Sequence, residues 1–402
     1  MKFKKHSILC IIYALCSGFS YANNLDSVDS VDLVLTQLPQ IRAADAAITA
    51  AQANAERLRV GTYEWSVKAA AQQRREVATG MQYPEYEIGI EKPMRWLGKA
   101  ETDAQLGEIG IRIAQLTREK TLYEARRTFI TEWLDALRES RIAQILTEQA
   151  QLSFEQLEVV KKRVKAGESA PLDAISAQAD HARTGAASLQ AQARADTLMR
   201  ALHRRYPNLP KFSPLDLPTL TPPAMPDAAS IAARLAKHPA FVLAQTQAQQ
   251  AQLRATRAEQ ERTTDPTWGI RAVSERDGQE KILGIYVSIP IGGAGRKADS
   301  SQAQAERESA QHQLEQTRKE VEAQLWHSAE STLQSYAAWQ RLEAVRTLVQ
   351  RSTDLQVRAY GLGEAILHDT LQARRLVLEA HLAAETVRME AVAARMLSKD
   401  AE

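Results

Sequence analysis

The two cysteines of this 402-residue chain, Cys10 and Cys16, both lie in its first 22 residues. The rest has no thiol for a disulfide and must be held together by packing. Excess charge is missing as well. Lys2, Lys4 and Lys5 supply three of the 51 basic side chains. Without them 48 bases face 49 acids, a balance of −1 that gives nucleic-acid binding no electrostatic support. Beyond residue 22 no run of 18 apolar residues occurs, which excludes a transmembrane helix there. Proline is absent from about 98 to 165 and from about 296 to 358, and the first stretch has only Gly107 and Gly110 as weak breakers.

Catalytic signatures are also missing. The chain has no Gly-rich phosphate loop and no H-E-x-x-H zinc pattern. Beyond residue 22 its histidines, at 181, 203, 238, 312, 327, 368 and 381, are scattered. His327 with Glu330 and His368 with Asp369 come nearest to ligand pairs, and such pairs on a helix surface are ordinarily solvated. The methionines form no soft-metal track. The residues point to no catalytic site, no cofactor and no metal centre, and to a chain that is not an enzyme.

What is present begins with an export signal. Lys2, Lys4 and Lys5 form a basic start, Ser7 to Phe19 an apolar stretch too short to span a bilayer comfortably, and Ser20-Tyr21-Ala22 a small-x-small cleavage site. Tyr13 stands where a lipobox around Cys16 would want Leu. The expected signal peptide is 1–22.

The remainder repeats itself about 200 residues apart. IRAADAAITAAQANAERLRV after Leu38-Pro39 is echoed by FVLAQTQAQQAQLRATRAE after His238-Pro239. Pro93-Met94-Arg95-Trp96-Leu97-Gly98-Lys99 is echoed by Pro290-Ile291-Gly292-Gly293-Ala294-Gly295-Arg296. Each is followed by a long Ala/Gln/Glu-rich stretch broken at a glycine tip, Gly167-Glu168 in one copy and Gly363-Glu364 in the other. The offset drifts from 200 to 197 to 196, as tandem duplication with small indels produces. The expected division is a first repeat over 23–205 (hairpin about 62–93, helices about 98–204), a Pro-rich linker over 206–226, and a second repeat over 227–402 (hairpin about 267–290, helices about 296–398).

The proline-free stretches carry apolar residues at helical spacing, among them Ile130, Leu134, Leu137, Ile145 and Leu152, then Leu342, Val345, Leu348 and Leu355. A helix from 98 to 165 rises roughly 100 Å. Its stripe needs neighbours alongside, which the return helices supply. An ordinary coiled-coil bundle has the same composition.

The β segments alternate. Tyr63, Trp65 and Val67; Tyr86, Ile88 and Ile90; Trp268, Ile270 and Ala272; and Leu283, Ile285, Val287 and Ile289 are interleaved mostly with polar or small residues. Val77-Ala78-Thr79-Gly80 and Arg276-Asp277-Gly278-Gln279 are turn signals. Strands of roughly ten residues with one apolar face, and Tyr and Trp near its ends, fit a lipid-facing barrel wall. A small sheet lying on helices alternates in the same way. Gln72-Gln73-Arg74-Arg75-Glu76 is expected in an outer loop, because a strand extended that far puts Arg75 on the apolar face unless a bulge intervenes.

The order of these features, together with GIYVSIPIGGAGRKADSSQAQAE and EYEIGIEKPMRWLGKAETDAQ at the junctions, resembles the TolC-like outer-membrane efflux channel family over essentially the whole chain beyond the signal. The second string resembles the subgroup serving heavy-metal and related resistance-nodulation-division pumps. The resemblance implies a mainly α fold with a small transmembrane β part: a homotrimer whose twelve strands form one β-barrel in outer-membrane lipid, continued by a twelve-helix α-barrel. It implies a passive conduit in the outer membrane of a Gram-negative bacterium, most of its mass in the periplasm. The partners implied are a periplasmic adaptor (membrane fusion protein) and an inner-membrane efflux pump, and the cargo is small molecules or metal cations. Two other readings share many features: a periplasmic coiled-coil scaffold or adaptor, and a channel for type I protein secretion.

Site residues follow from the same resemblance. Gly167, Glu168 and Ser169, and Gly361, Leu362, Gly363 and Glu364, match adaptor-docking tips. Asp173 and Asp369 either complement the dipole of a helix first turn or, with Glu168 and Glu364 as the alternative pair, converge as an acidic pore constriction. Pro93 and Pro290 are expected to end strands, and Gly98 and Gly295 to turn the chain into a helix. Lys99 and Arg296 are expected either at the interface below the barrel or on a solvated helix end.

Overall fold

The computed structural model describes residues 34–399 except 62, 97, 208 and 210–218. The expected signal, and the middle of the expected linker, lie outside the described residues. One order of elements occurs twice. The first pass is α1 (Pro39–Val60), β1 (Ser66–Arg75), β2 (Gln82–Pro93), α2 (Lys99–Lys165) and α3 (Pro171–Arg205). A short helix, α4 (Ala228–Lys237), which periodicity did not announce, follows the linker. The second pass is α5 (Pro239–Gln260), β3 (Thr267–Glu275), β4 (Glu280–Ser288), α6 (Ala294–Leu362) and α7 (Leu367–Lys399).

The two long helices have 67 and 69 residues, about 100 Å each at 1.5 Å per residue. Each is accompanied by two shorter helices: α1 and α3 pack along α2, and α5 and α7 along α6. Contacts of α2 with α5 and α7 join the two passes. Helix α2 runs unbroken through Gly107 because that residue is a contact and not a breaker. A Cβ there would stand 2.9 Å from the Cβ of Ala55 on α1, so the missing side chain sets how closely the two helices approach.

The largest core forms midway along α2. Phe129, Trp133, Leu134 and Leu137 meet Val34 and Leu35 before α1, Leu202 and Tyr206 at the end of α3, and Met389 and Val392 on α7. Phe129 lies parallel to Trp133 at 6.4 Å and edge-on to Tyr206 at 5.1 Å. A separate cluster joins Ile231 and Leu235 of α4 to Val321 and Leu325 of α6. Helix α5 starts at Pro239, and the Nδ1 of the buried His238 accepts from the Ala240 amide at 3.3 Å, an unusual imidazole cap.

The four strands form one antiparallel sheet in the order β1-β2-β3-β4, so the hairpins of the two passes join through β2 and β3. β1 departs from expectation. It starts at Ser66, not Tyr63, and pairs without a bulge up to Arg75 opposite Gln82. The expected loop residues are strand because their side chains find partners across it: Gln72 donates to Glu85 at 2.8 Å and Gln73 to Gln82 at 2.9 Å. The chain reverses only at Glu76–Gly80, where the Glu76 amide donates to Met81 and the Gly80 amide to Glu76.

Replacing Phe129 with Ala removes both ring contacts at the junction of four segments. The expected loss is about 3–5 kcal/mol, read as a lowered denaturation midpoint by circular dichroism.

Candidate functional site

The register decides what each face of the sheet presents. Val67, Ala69 and Ala71 of β1 share a face with Tyr86, Ile88 and Ile90 of β2, Trp268, Ile270 and Ala272 of β3, and Leu283, Ile285 and Val287 of β4. All the carboxylates of the strands, Glu85, Glu87, Glu91, Glu275 and Glu280, lie on the other face. The usual relation of polarity to exposure is inverted. Leu283 is 80% exposed and Ile285 78%, whereas Glu85 is buried. Neither face lies on a helix among the described residues.

The polar face is laced with cross-strand bonds. Lys68 pairs with Glu91 at 2.7 Å, which also accepts from the Tyr286 hydroxyl at 2.5 Å. Arg74 reaches Glu85 and Glu275, each at 3.4 Å, the second across the seam between hairpins. Tyr286 covers Gly269 opposite, where a Cβ would fall 2.4 Å from its ring.

Where sheet meets helices, charges are buried together. Lys99, 1% exposed, donates from Nζ to the Thr263 carbonyl at 2.7 Å and to Asp265 Oδ1 at 2.8 Å, and stands 3.4 Å from Glu261. Asp265 also accepts from the Tyr63 hydroxyl at 2.5 Å and the Trp96 amide at 2.8 Å. Arg257 bridges Asp103 at 2.7 Å and Glu261. Arg95 donates to Asp103 at 3.1 Å and to the Leu58 carbonyl at 2.8 Å at the end of α1. Burial opposes ionisation of Asp265, but the donors from Lys99, Tyr63 and Trp96 outweigh it and hold its carboxyl below the ordinary range. For Tyr63, burial first and the Asp265 carboxylate second push the phenol well above its usual value.

At the far end of the helices the two tips have one hydrogen-bond pattern. The Glu168 amide donates to the Arg163 carbonyl and the Glu364 amide to the Ala359 carbonyl, both at 2.9 Å. Gly167 (φ 77°) and Gly363 (φ 81°) take the left-handed conformation that this helix ending requires. The tips pack on each other. Leu157, Val160 and Ala177 meet Tyr360, Leu367 and Leu371, and the Arg163 guanidinium lies 4.9 Å from the Tyr360 ring centre and donates to its carbonyl at 3.2 Å.

No protein-family model matches this chain, and no curated protein matches it. Solved structures do. The Campylobacter jejuni CmeC outer membrane channel superposes with a TM-score of 0.73 at 14% identity, covering 93% of this chain and 84% of that one. The Vibrio cholerae outer membrane protein VceC gives 0.71 at 16% identity, with 93% and 95% covered. The Neisseria gonorrhoeae MtrE outer membrane channel, in its open state, gives 0.69 at 15%, with 93% and 88% covered. This chain has the TolC-like channel fold.

Within the TolC-like fold the sequence-predicted residues fall at both ends of the helices. Pro93 closes β2 opposite Thr267, and Pro290 lies just past β4, its carbonyl accepting from Thr264 Oγ1 at 2.5 Å. Gly98 (φ 87°) precedes α2 in the left-handed region, as the strand-to-helix turn requires. Gly295 does not act so: it is already inside the first turn of α6, and the second junction turns through Pro290–Gly293 without a left-handed residue. Lys99 is no solvated helix end. It is fully buried because Asp265, Glu261 and a carbonyl surround it, while Arg296 bonds the side chain (2.9 Å) and carbonyl (2.6 Å) of the same Glu261. Gly361 and Leu362 belong to the last turn of α6, and Gly363 is its cap. Glu168 and Glu364 are exposed, and Ser169 is half-buried. Asp173 and Asp369 occupy the first turns of α3 and α7, the placement that complements a helix dipole.

Sequence reasoning missed Tyr63, Arg95, Asp103, Arg257, Glu261 and Asp265, the other members of the junction cluster. They come from four separate segments, and the available signal was weak: a Tyr just after α1, and Asp-Pro opening β3.

Removing Lys99 leaves Asp265 buried without its cation. The substitution K99M is expected to destabilise the fold by about 3–5 kcal/mol, read by chemical denaturation. The Asp265 contribution is full above the unfolded aspartate value, about 3.9, and is lost as pH falls through the lower folded value. D265N is therefore expected to flatten the decline of stability below about pH 4.

Proposed function

We propose that this protein is the outer-membrane channel subunit of a tripartite efflux system, a passive conduit for small molecules or metal cations. The observation that carries the reading is the inverted sheet: its apolar face is exposed, and the carboxylates lie on the other face, where all but Glu280 are buried or half-buried. Lipid outside and water inside is the environment in which that arrangement is stable. Among the described residues the sheet also has two free edges, β1 and β4, and four strands are too few to close on themselves. Three copies pairing edge to edge make a twelve-stranded barrel with no edge left. Their long helices continue it as a twelve-helix tunnel through the periplasm. The tips at Gly167–Ser169 and Gly361–Glu364, at the far end with Glu168 and Glu364 exposed, dock a periplasmic adaptor that couples the conduit to an inner-membrane pump. Asp173 and Asp369 line the entrance as carboxylate rings that favour cations. The likeness to structures described as outer membrane channels supports the reading. A scaffold outside the membrane has no use for an uncovered apolar face. A secretion channel shares the architecture and differs in partner.

Membrane fractionation and detergent sizing test the assembly: heat-modifiable trimers in the outer membrane are expected, and a soluble monomer would refute it. Ile285 sits in the central apolar row with Val67, Ile90 and Ile270. I285K is expected to cost about 2–4 kcal/mol of membrane stability and to lower the yield of folded trimer. The double substitution D173N with D369N is expected to reduce cation preference in planar-bilayer recordings; unchanged preference removes the constriction from the proposal.

A further inference from the structure

The apolar face of the sheet has two unlike ends. Toward the helices it is bounded by Trp65 and Trp268, with Lys92 lying 5.2 Å from the centre of the Trp65 ring. Toward the turns it ends in cations. Arg75, last in β1, and Lys281, in β4, stand on the same face as Ile88 and Ile285. On the opposite face Lys68 and Arg74 are each paired with a glutamate, while Arg271 has no carboxylate partner among the described residues. The face that holds Arg75 and Lys281 has no carboxylate on any of the four strands, and among the described residues neither cation has a carboxylate partner. Lys92, at the other end, lies over the Trp65 ring, whereas among the described residues Arg75 and Lys281 have neither a carboxylate nor a ring partner, and cations so placed on an apolar surface fit an anion that arrives from outside the chain.

A seat for the rest of that molecule adjoins Lys281. Ala272 and Ser274 are small, and over them a hollow of about 380 Å³ opens between Tyr86 and Ile88 on β2 and Lys281 and Leu283 on β4. It straddles the seam between the two hairpins and is mostly apolar, with Glu87 and Ser274 also in its lining and Lys281 on its turn side. A groove of this kind matches an acyl chain, and a cation at its mouth matches a phosphate.

We propose that the turn-side end of this face binds a phosphate-bearing lipid, its acyl chain in the hollow over Ala272 and Ser274, its phosphate on Lys281, and Arg75 a second headgroup contact. The proposal rests on the membrane-barrel reading, because only a membrane-facing sheet brings this end to headgroup level. The bound chain would clamp the β2–β3 seam, where Arg74 and Glu275 are the cross-hairpin ion pair on the opposite face.

The test uses the full-length protein in phosphatidylcholine nanodiscs with and without phosphatidylglycerol, with retained lipid counted by native mass spectrometry and thermal dissociation followed in parallel. The wild type is expected to retain phosphatidylglycerol selectively and to dissociate at higher temperature with it. K281Q is expected to retain about fivefold less, and K281Q with R75Q less again. A272W, which fills the hollow and keeps both cations, is expected to lose retention as well. Equal phosphatidylglycerol retention by inserted wild type and K281Q overturns the proposal, as does equal stabilisation by free inorganic phosphate. A wild-type protein that fails to enter the bilayer overturns both this proposal and the barrel reading, so the two failures are distinguishable.

Discussion

A four-stranded sheet with one apolar face uncovered and both edges unpaired cannot rest in water by itself. Among the described residues the helices do not cover the sheet. They run away from it, and the packed cores lie along the helices, at mid-length and at the tips. A chain that meant to bury Ile285 and Leu283 internally had long helices available and did not use them.

The junction between sheet and helices carries the mechanical burden of this arrangement. Lys99, Arg257, Arg95 and Arg296 are interleaved with Asp103, Glu261 and Asp265, and they draw together the end of α1, the end of α5, the starts of α2 and α6 and the approach to β3. Taking such charges out of water is costly. What offsets the cost is saturation: Asp265 alone accepts from Lys99, Tyr63 and the Trp96 amide. The tips repeat the logic with a lighter hand, one cation stacked over Tyr360 and two matching helix endings.

Much of this was legible in the residues. The apolar alternation of Tyr86, Ile88 and Ile90 and of Leu283, Ile285 and Val287 has a period of two and needs no tertiary information. The glycine tips were legible because Gly167 and Gly363 adopt a backbone that other residues disfavour. Other features were not. Gln72 to Arg74 look like loop by polarity, and are strand because partners across the hairpin accept their side chains. Gly295 looks like the counterpart of Gly98, yet the second junction turns differently. Lys99 looks like a helix-end lysine, and its burial depends on Asp265, 166 residues away.

By itself the sequence determined the periodic content: two long proline-free helices, two hairpins with apolar stripes, and their repetition, since period and punctuation are properties of neighbours along the chain. Only the tertiary structure decided which stripe shares a face with which, that the apolar face is left open among the described residues while the carboxylates gather on the other, and which cations are matched by acids. Those are relations between segments up to about 200 residues apart. They are set by strand register and by the closing of charge pairs, where a slip of one residue would send every side chain to the opposite face.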